Sequence, residues 1–186
     1  MNKRHIITIA GDLASGKGTV TELLKRDLGY EIYRNGTYVR NLAKEQGLDI
    51  NNFQEYLNAH PEIDRQIEES AKKYAKEHDN LIIDARLGWY AVPDSFKVYL
   101  TVDLEVAAKR ALNDKNRKNT ENFSTFEEAK KFLSYRFEEE NKRFFNLYNV
   151  RKNDMKNYDF VLDTTDLTPE EVNGKIKEEY FKWLEN

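Results

Sequence analysis

Nine consecutive residues carry the densest chemical signal in the chain: Gly11-Asp12-Leu13-Ala14-Ser15-Gly16-Lys17-Gly18-Thr19. They contain a complete Gly-x-x-x-x-Gly-Lys pattern. Gly11 and Gly16 let the backbone curl so that several N–H groups converge on one anion. A helix starting at the lysine adds the positive end of its dipole. Lys17 places an ammonium where charge gathers on the β- and γ-phosphates of a nucleoside triphosphate. The pattern has this meaning only between a buried strand and a helix. Apolar residues Ile6 to Ala10 precede it, and Val20, Leu23 and Leu24 follow on one helical face. The bland alternative, a glycine-rich turn beside a surface lysine, fits the spacing and context less well. The ending is unusual. Gly18 stands where a Mg²⁺-ligating Ser or Thr is common, and Thr19 comes one residue late. That suggests a metal held mainly through phosphates and waters, with Thr19 on a phosphate or a metal-bound water.

A second acidic anchor is Asp84, at the end of the apolar run Leu81-Ile82-Ile83. This is where a carboxylate orients Mg²⁺ or its waters in P-loop proteins. A solvated carboxylate at a strand end is the plain alternative.

The elements that would position these residues alternate strand with helix. Strands are expected at His5 to Ala10, Tyr30 to Tyr33, Leu81 to Ile83, Lys97 to Val102 and Tyr158 to Leu162. Helices are expected at Gly18 to Asp27, Thr37 to Gln46, Asn51 to Asn58, Pro61 to His78, after Asp103 to Leu112, and Thr125 to Asn149. A last helix opens at the capping box Thr168-Pro169-Glu170-Glu171. The polar stretch Asn113 to Ser124 reads as a loop. This order predicts an α/β three-layer P-loop fold with a five-stranded parallel sheet and helices on both faces. Ligands on such sheets bind at the carboxyl ends of the strands.

The chain has 186 residues, enough for one domain with a sizeable core. A formal net charge of −3 marks no nucleic-acid or membrane binder. With no cysteine, disulfides and thiolate chemistry are excluded, which suits a reducing compartment. The only apolar stretch near the start, Ile6 to Ala10, is too short for a signal or a span. A cytoplasmic location is expected. His5, His60 and His78 are scattered without ligand spacing and read as structural or solvated. Phe126, Phe137, Phe144 and Tyr148 read as core.

Several further stretches, in order, make the chain resemble the cytidylate kinases, especially their short archaeal-type form. They are the Gly16-Lys17-Gly18-Thr19 ending, Gly36-Thr37-Tyr38-Val39-Arg40, His60-Pro61-Glu62-Ile63-Asp64-Arg65, Asp84-Ala85-Arg86-Leu87-Gly88-Trp89, Leu104 to Arg110, and Tyr158 to Thr164. The resemblance implies transfer of a phosphoryl group from ATP, with Mg²⁺, to CMP or dCMP. It implies that Gly11 to Thr19 and Arg110 bind ATP, and that Arg40 and Arg86 hold the acceptor's phosphate. It places Asp84 on metal or acceptor, Arg136 and Arg143 as paired lid arginines, and Glu140 near the acceptor ribose. One kinase domain over 1–186 is implied, with an acceptor-binding helical segment at about 36–78 and a lid at about 110–143.

Elementary chemistry agrees with much of this. Arg40, Arg86 and Arg110 each follow an expected strand end, directly or through one helix. Arg136, Glu140 and Arg143 recur at i, i+4 and i+7 on one helical face. Transfer between two phosphorylated partners crowds negative charge, which arginine forks suit. Taken alone, the Arg136 and Arg143 pattern equally fits a helix laced with surface ion pairs. Arg117 and Lys118 could reach in from the loop, or belong to a plain loop. Asp12 near phosphates is electrostatically unwelcome unless it points away. Ala85 replaces a more usual glycine and requires a negative φ. The alternatives are a kinase for another small acceptor (UMP, AMP or a metabolite) and a nucleotide-binding regulatory protein with little turnover. A nucleic-acid role is disfavoured by charge.

Overall fold

Ile6–Gly11 forms strand β1, and its first five residues are buried. Such a continuous apolar strand needs cover on both faces, and the computed structural model, which describes residues 4–48, 50–114 and 123–186, shows it. The other strands are β2 (Glu31–Arg34), β3 (Leu81–Asp84), β4 (Phe96–Thr101) and β5 (Phe160–Asp163). They make one parallel sheet in the order β2-β3-β1-β4-β5. The strand order reverses around β1, so the crevice at its carboxyl end is the place for a ligand.

The helices are α1 (Lys17–Leu28), α2 (Asn35–Glu45), α3 (Ile50–Ala59), α4 (Pro61–Glu77), α5 (Gly88–Ala91), α6 (Leu104–Asn113), α7 (Phe126–Tyr148) and α8 (Pro169–Glu185). On one face Val20 and Leu24 of α1 and Val172, Ile176 and Tyr180 of α8 pack on Ile7, Ile9, Ile82 and Val98. On the other, Ala71 and Ala75 of α4 and Ala91 of α5 cover Ile6, Leu81 and Ile83. This is the three-layer arrangement expected. Helices α2, α3 and α4 share a small core of their own, Ala43, Phe53, Leu57 and Ile67. Ala107, Ala108 and Ala111 of α6 pack on Ala129 and Leu133 of α7.

The caps set several boundaries. Asp103 accepts from the N–H groups of Glu105 and Val106. Thr125 with Glu128 and Thr168 with Glu171 form full capping boxes. Two elements escaped the sequence. Helix α5 is too short to show a 3.6-residue period, and a 3₁₀ turn at Met155–Asn157 delays β5 to Phe160. Gly88 permits α5 to sit against β1, since a Cβ there would lie 2.9 Å from Thr8 Cβ. Of the stretch expected as a loop, residues 115–122, with Arg117 and Lys118, lie outside the described residues. Among the described residues no helix is long and apolar enough to cross a membrane.

Candidate active site

The nine-residue loop hangs between β1 and α1 and is tied to the sheet on its floor. A Cβ on Gly11 would fall 2.7 Å from the Leu100 carbonyl oxygen, so β1 and β4 approach there only with glycine. Asp12 is turned away from the loop interior. Its N–H donates to Leu100 O at 2.9 Å, and its carboxylate accepts from Tyr99 Oη at 2.7 Å and Val102 N at 3.2 Å. Beyond Leu13, which packs against the α6–α7 cluster, the chain turns through left-handed conformations at Ala14 (φ 64°) and Gly16 (φ 85°). The alanine holds that conformation at a cost of about 1–2 kcal/mol, strain of the kind found at ligand sites. Ser15 is buried and its Oγ has no hydrogen-bond partner. Helix α1 opens at Lys17 with no side chain capping it, which leaves its first N–H groups for an anion. Gly18 and Thr19 are exposed.

Parallel register brings the acidic anchor alongside. Asp84 pairs with Ile9 of β1 and with Arg34 of β2. Its carboxylate makes an ion pair with Lys17. Arg34 Nε lies 3.9 Å from the other carboxylate oxygen, and the same guanidinium meets Glu22 at 2.5 Å. Arg34 was missed by the sequence reading, although its place at a strand's carboxyl end was the available signal. Arg110 of α6 donates to the carbonyls of Thr164 (2.8 Å) and Thr165 (3.1 Å). Thr164 Oγ1 in turn reaches the Ser15 carbonyl at 3.0 Å, so Arg110 stands beside the loop.

A second charged centre lies beyond β3. Ala85 keeps a negative φ, since among the described residues only Ala14, Asn80 and Asn149 depart from it outside glycine. Arg86 Nε then reaches Glu140 Oε1 of α7 at 2.7 Å, and Arg136 Nε reaches the same oxygen at 3.1 Å. The other oxygen, Oε2, takes Lys152 Nζ at 2.5 Å. Glu140 is 1% exposed. Burial alone would raise its carboxyl, but Arg86, Lys152 and Arg136 together hold it well below the usual range. Lys152 is itself buried and lies over the Phe137 ring at 4.6 Å. Desolvation pulls its ammonium down, against the attraction of Glu140. No sequence pattern pointed to Lys152, which sits in an irregular segment after α7.

Arg143 departs from the expected pair. It turns to α4 and meets Asp64 at 2.9 Å, with the two side chains 9% and 5% exposed. Arg136 and Arg143 are therefore not surface ion pairs. Glu139, by contrast, lies 3.9 Å from Lys142 on the surface of the same helix. Arg40 is exposed on α2, bonds Thr37 Oγ1 at 3.2 Å and, among the described residues, shares no ion pair with the other candidates. His60 and His78 each stack on a tyrosine four residues earlier and engage its carbonyl, at 2.8 and 2.9 Å, so both are structural. His5 pairs with Asp79 at 3.2 Å on the surface.

Comparison with known proteins follows the same lines. Residues 6–166 match the model of the cytidylate kinase-like family. A cytidylate kinase of Thermoplasma volcanium is 37% identical over 89% of this chain and 86% of its own. An S-adenosylmethionine-dependent nucleotide dehydratase of Lacinutrix mariniflava is 37% identical over 95% of this chain, which spans 36% of that longer protein. Among solved structures, a shikimate kinase of Aquifex aeolicus superposes with a TM-score of 0.58 at 22% identity, over 94% of this chain and 95% of that one. That last likeness shows the P-loop kinase fold alone. With the sequence match spanning nearly the whole sheet and both charged centres, the chain belongs to the cytidylate kinase-like family and is an enzyme of the nucleoside monophosphate kinase class.

Proposed function

We propose that the protein transfers the γ-phosphoryl group of ATP to CMP or dCMP, giving ADP and CDP or dCDP. The observation that carries this reading is the second charged centre. Three cations, Arg86, Arg136 and Lys152, converge on one buried carboxylate. A nucleotide switch with a P-loop has no use for such a centre, whereas an acceptor phosphate does.

In this reading Gly11 to Thr19 and Arg110 hold ATP. The loop's N–H groups and Lys17 take its phosphates, and Lys17 exchanges Asp84 for them when they arrive. Arg40, Arg86 and Arg136 bind the acceptor's phosphate, with Glu140 near its ribose. The α2–α4 segment is the acceptor-binding part and the region 110–143 the lid. Asp12 serves the cradle through β4 rather than by touching phosphate. Arg143 acts from its pair with Asp64.

An oxygen of the acceptor phosphate attacks the γ-phosphorus. The new P–O bond forms as the bond to the β,γ-bridging oxygen breaks, and ADP leaves with that electron pair. No side-chain base is needed, because the attacking oxygen is already anionic. Catalysis then consists of alignment and of positive charge placed where negative charge is shared. Positive side chains on both sides of the transferred group meet that need.

The residues fit Mg²⁺. The carboxylate of Asp84 and the hydroxyl of Thr19 are hard oxygen donors beside the cradle. Among the described residues no three His, Asp or Glu side chains gather as a metal cage, so such an ion would draw most of its oxygens from phosphates and water. When bound it would neutralise charge on the β- and γ-phosphates.

The test is ADP release with ATP and Mg²⁺ across CMP, dCMP, UMP, AMP, GMP and no acceptor. Strong preference for CMP or dCMP is expected. Turnover with another nucleotide would keep the chemistry and discard the cytosine assignment. Silence with all of them would overturn the reading.

A further inference from the structure

The transfer chemistry uses one of two buried acids of α4 only as the partner of Arg143 and leaves the other without a task. Asp64 and Glu68 are four residues apart, so one helical turn stacks them on the same face. They are only 4% and 8% exposed. Asp64 meets Arg143 of α7 at 2.9 Å. Glu68 Oε2 is buried without a hydrogen-bond partner. A buried polar atom left without a partner destabilises the fold, and a ligand that supplies the partner recovers that loss.

The surroundings tie this pair to the acceptor site. The charged and titratable groups facing Glu68 are Asp64 on its own helix, Arg86 after β3, Arg143 and Tyr148 of α7, and Tyr33 of β2. Arg86 is the link, because the guanidinium that bonds Glu140 also acts on Asp64 and Glu68. Beside an arginine assigned to the acceptor's phosphate, a buried polar pair with an open valence is suited to another part of the same molecule.

We propose that Asp64 and Glu68 form the subsite for the acceptor's base and select one with an exocyclic amine beside an unprotonated ring nitrogen. This rests on the nucleoside monophosphate reading above. Cytosine carries that edge: its N4 amine donates and its N3 accepts. Uracil reverses it, with O4 accepting and N3–H donating. Burial raises the Asp64 carboxyl against the attraction of Arg143 and Arg86, but its place at 2.9 Å from the Arg143 guanidinium makes it the accepting partner, and a carboxylate can only accept. An amine satisfies it, while a carbonyl oxygen in the same place meets lone pairs with lone pairs. Glu68 is the complementary half. Burial, with the charge of Asp64, pushes its carboxyl up to about 8, so at neutral pH it keeps a proton to donate. One acceptor and one donor together match cytosine and mismatch uracil.

The experiment measures kcat/KM for CMP and for UMP, and KM for ATP, in the wild type and in Asp64→Asn, Glu68→Gln and Glu68→Ala. The amide of Asp64→Asn can donate to O4. Its CMP-to-UMP ratio is expected to fall at least about tenfold, because a mismatched polar edge is what such a pocket rejects. KM for ATP should stay within about twofold in every variant, since the cradle is untouched. Glu68→Gln imitates the protonated acid and should keep CMP turnover within about threefold, whereas Glu68→Ala should lose about tenfold or more with CMP. An unchanged ratio in Asp64→Asn overturns the inference. So do equal losses for CMP and UMP in both Glu68 variants, which would mark a structural acid. If Asp64→Asn does not fold, the Glu68 pair decides by itself. A wild type that uses CMP and UMP alike overturns only the base selection. A wild type that uses no nucleoside monophosphate overturns the functional reading on which it stands.

Discussion

The phosphate cradle and the cluster around Glu140 both concentrate positive charge, and they do so by opposite means. The cradle is built of backbone. Its turns at Ala14 and Gly16 shape the backbone after β1, and it adds one lysine set against Asp84. Those two side chains remain 24% and 14% exposed. The Glu140 cluster is built of side chains, with a carboxylate 1% exposed at its centre. Backbone donors are fixed by the fold and need no counter-charge. Arginines and lysines are long and flexible, so a buried anion must hold them in register before the ligand arrives. A central anion that orders its cations costs desolvation, and three partners are what make Glu140 affordable.

The sharpest way to break this contrast is at Lys17. It is the cradle's own cation, and no backbone group can replace it. Lys17→Ala is expected to lower kcat by a factor on the order of 10³, since the charge on the transferring group loses its nearest side-chain partner. Activity within tenfold of wild type would show that the backbone alone suffices, and would defeat the cradle assignment.

The Glu140 cluster should fail differently. Lys152 does not face the cradle; it touches Glu140, so it is a positioning residue. Lys152→Met keeps the packing on Phe137 and removes one of three cations. The expected result is an acceptor KM raised about tenfold with ATP KM unchanged, and a loss of about 3 kcal/mol in stability, the lower end for breaking a buried pair. Lys152→Arg should recover most of the acceptor KM. A loss of stability with both KM values intact would make Lys152 a structural ion pair only.

The same contrast governs what the sequence disclosed. The cradle was legible because contiguous residues make it: two glycines, a lysine, an apolar strand before and a helix after. The sheet was legible for a similar reason, since buried parallel strands are short continuous runs such as Leu81-Ile82-Ile83. The Glu140 cluster was legible in part. Arg136, Glu140 and Arg143 share a helical face, but the face does not say that Arg143 turns to Asp64 while Arg136 stays with Glu140. That division depends on where α4 and Arg86 lie. Lys152 left no trace, because an irregular segment has no period and its burial arises from contact with α7. Arg34 and Glu68 look like ordinary charges in a polar helix or strand end until the packing is known. The ends of β5 and α2 moved for local reasons, a 3₁₀ turn in one case and a helix opening already at Asn35 in the other.

Two buried glutamates within reach of Arg86 give a pH signature that separates the regions further. Glu140 is held far below 4.5, the value it would have unfolded. Its contribution to stability is complete above that value and is lost only as pH falls toward the folded one. Glu68 has the opposite sign. Raised from 4.5 to about 8, it contributes most below 4.5, and its contribution declines as pH rises through about 8. Between pH 5 and pH 9, then, Glu140 is constant and Glu68 loses ground, by an amount on the order of 2 kcal/mol once relaxation around the buried acid is allowed for. Glu68→Gln has no proton to lose. Its Tm should fall less than that of the wild type between pH 6 and pH 9. Parallel Tm curves for the two proteins would show that Glu68 is ionised throughout.

The smallest effect concerns Asp12, the one carboxylate inside the cradle motif. If it faced the phosphates, neutralising it would lower KM for ATP. Its oxygens instead receive Tyr99 Oη and Val102 N, from the strand below. Asp12→Asn keeps one oxygen for Val102, and the Tyr99 hydroxyl can rotate to accept from the new amide. The cost should be about 1 kcal/mol of stability, the size of a weakened hydrogen bond, with KM for ATP within about twofold of wild type. A drop in KM for ATP would mean that Asp12 turns inward when nucleotide binds. The cradle would then carry a side-chain charge after all, and the division between a backbone site and a side-chain site would be less clean than the structure draws it.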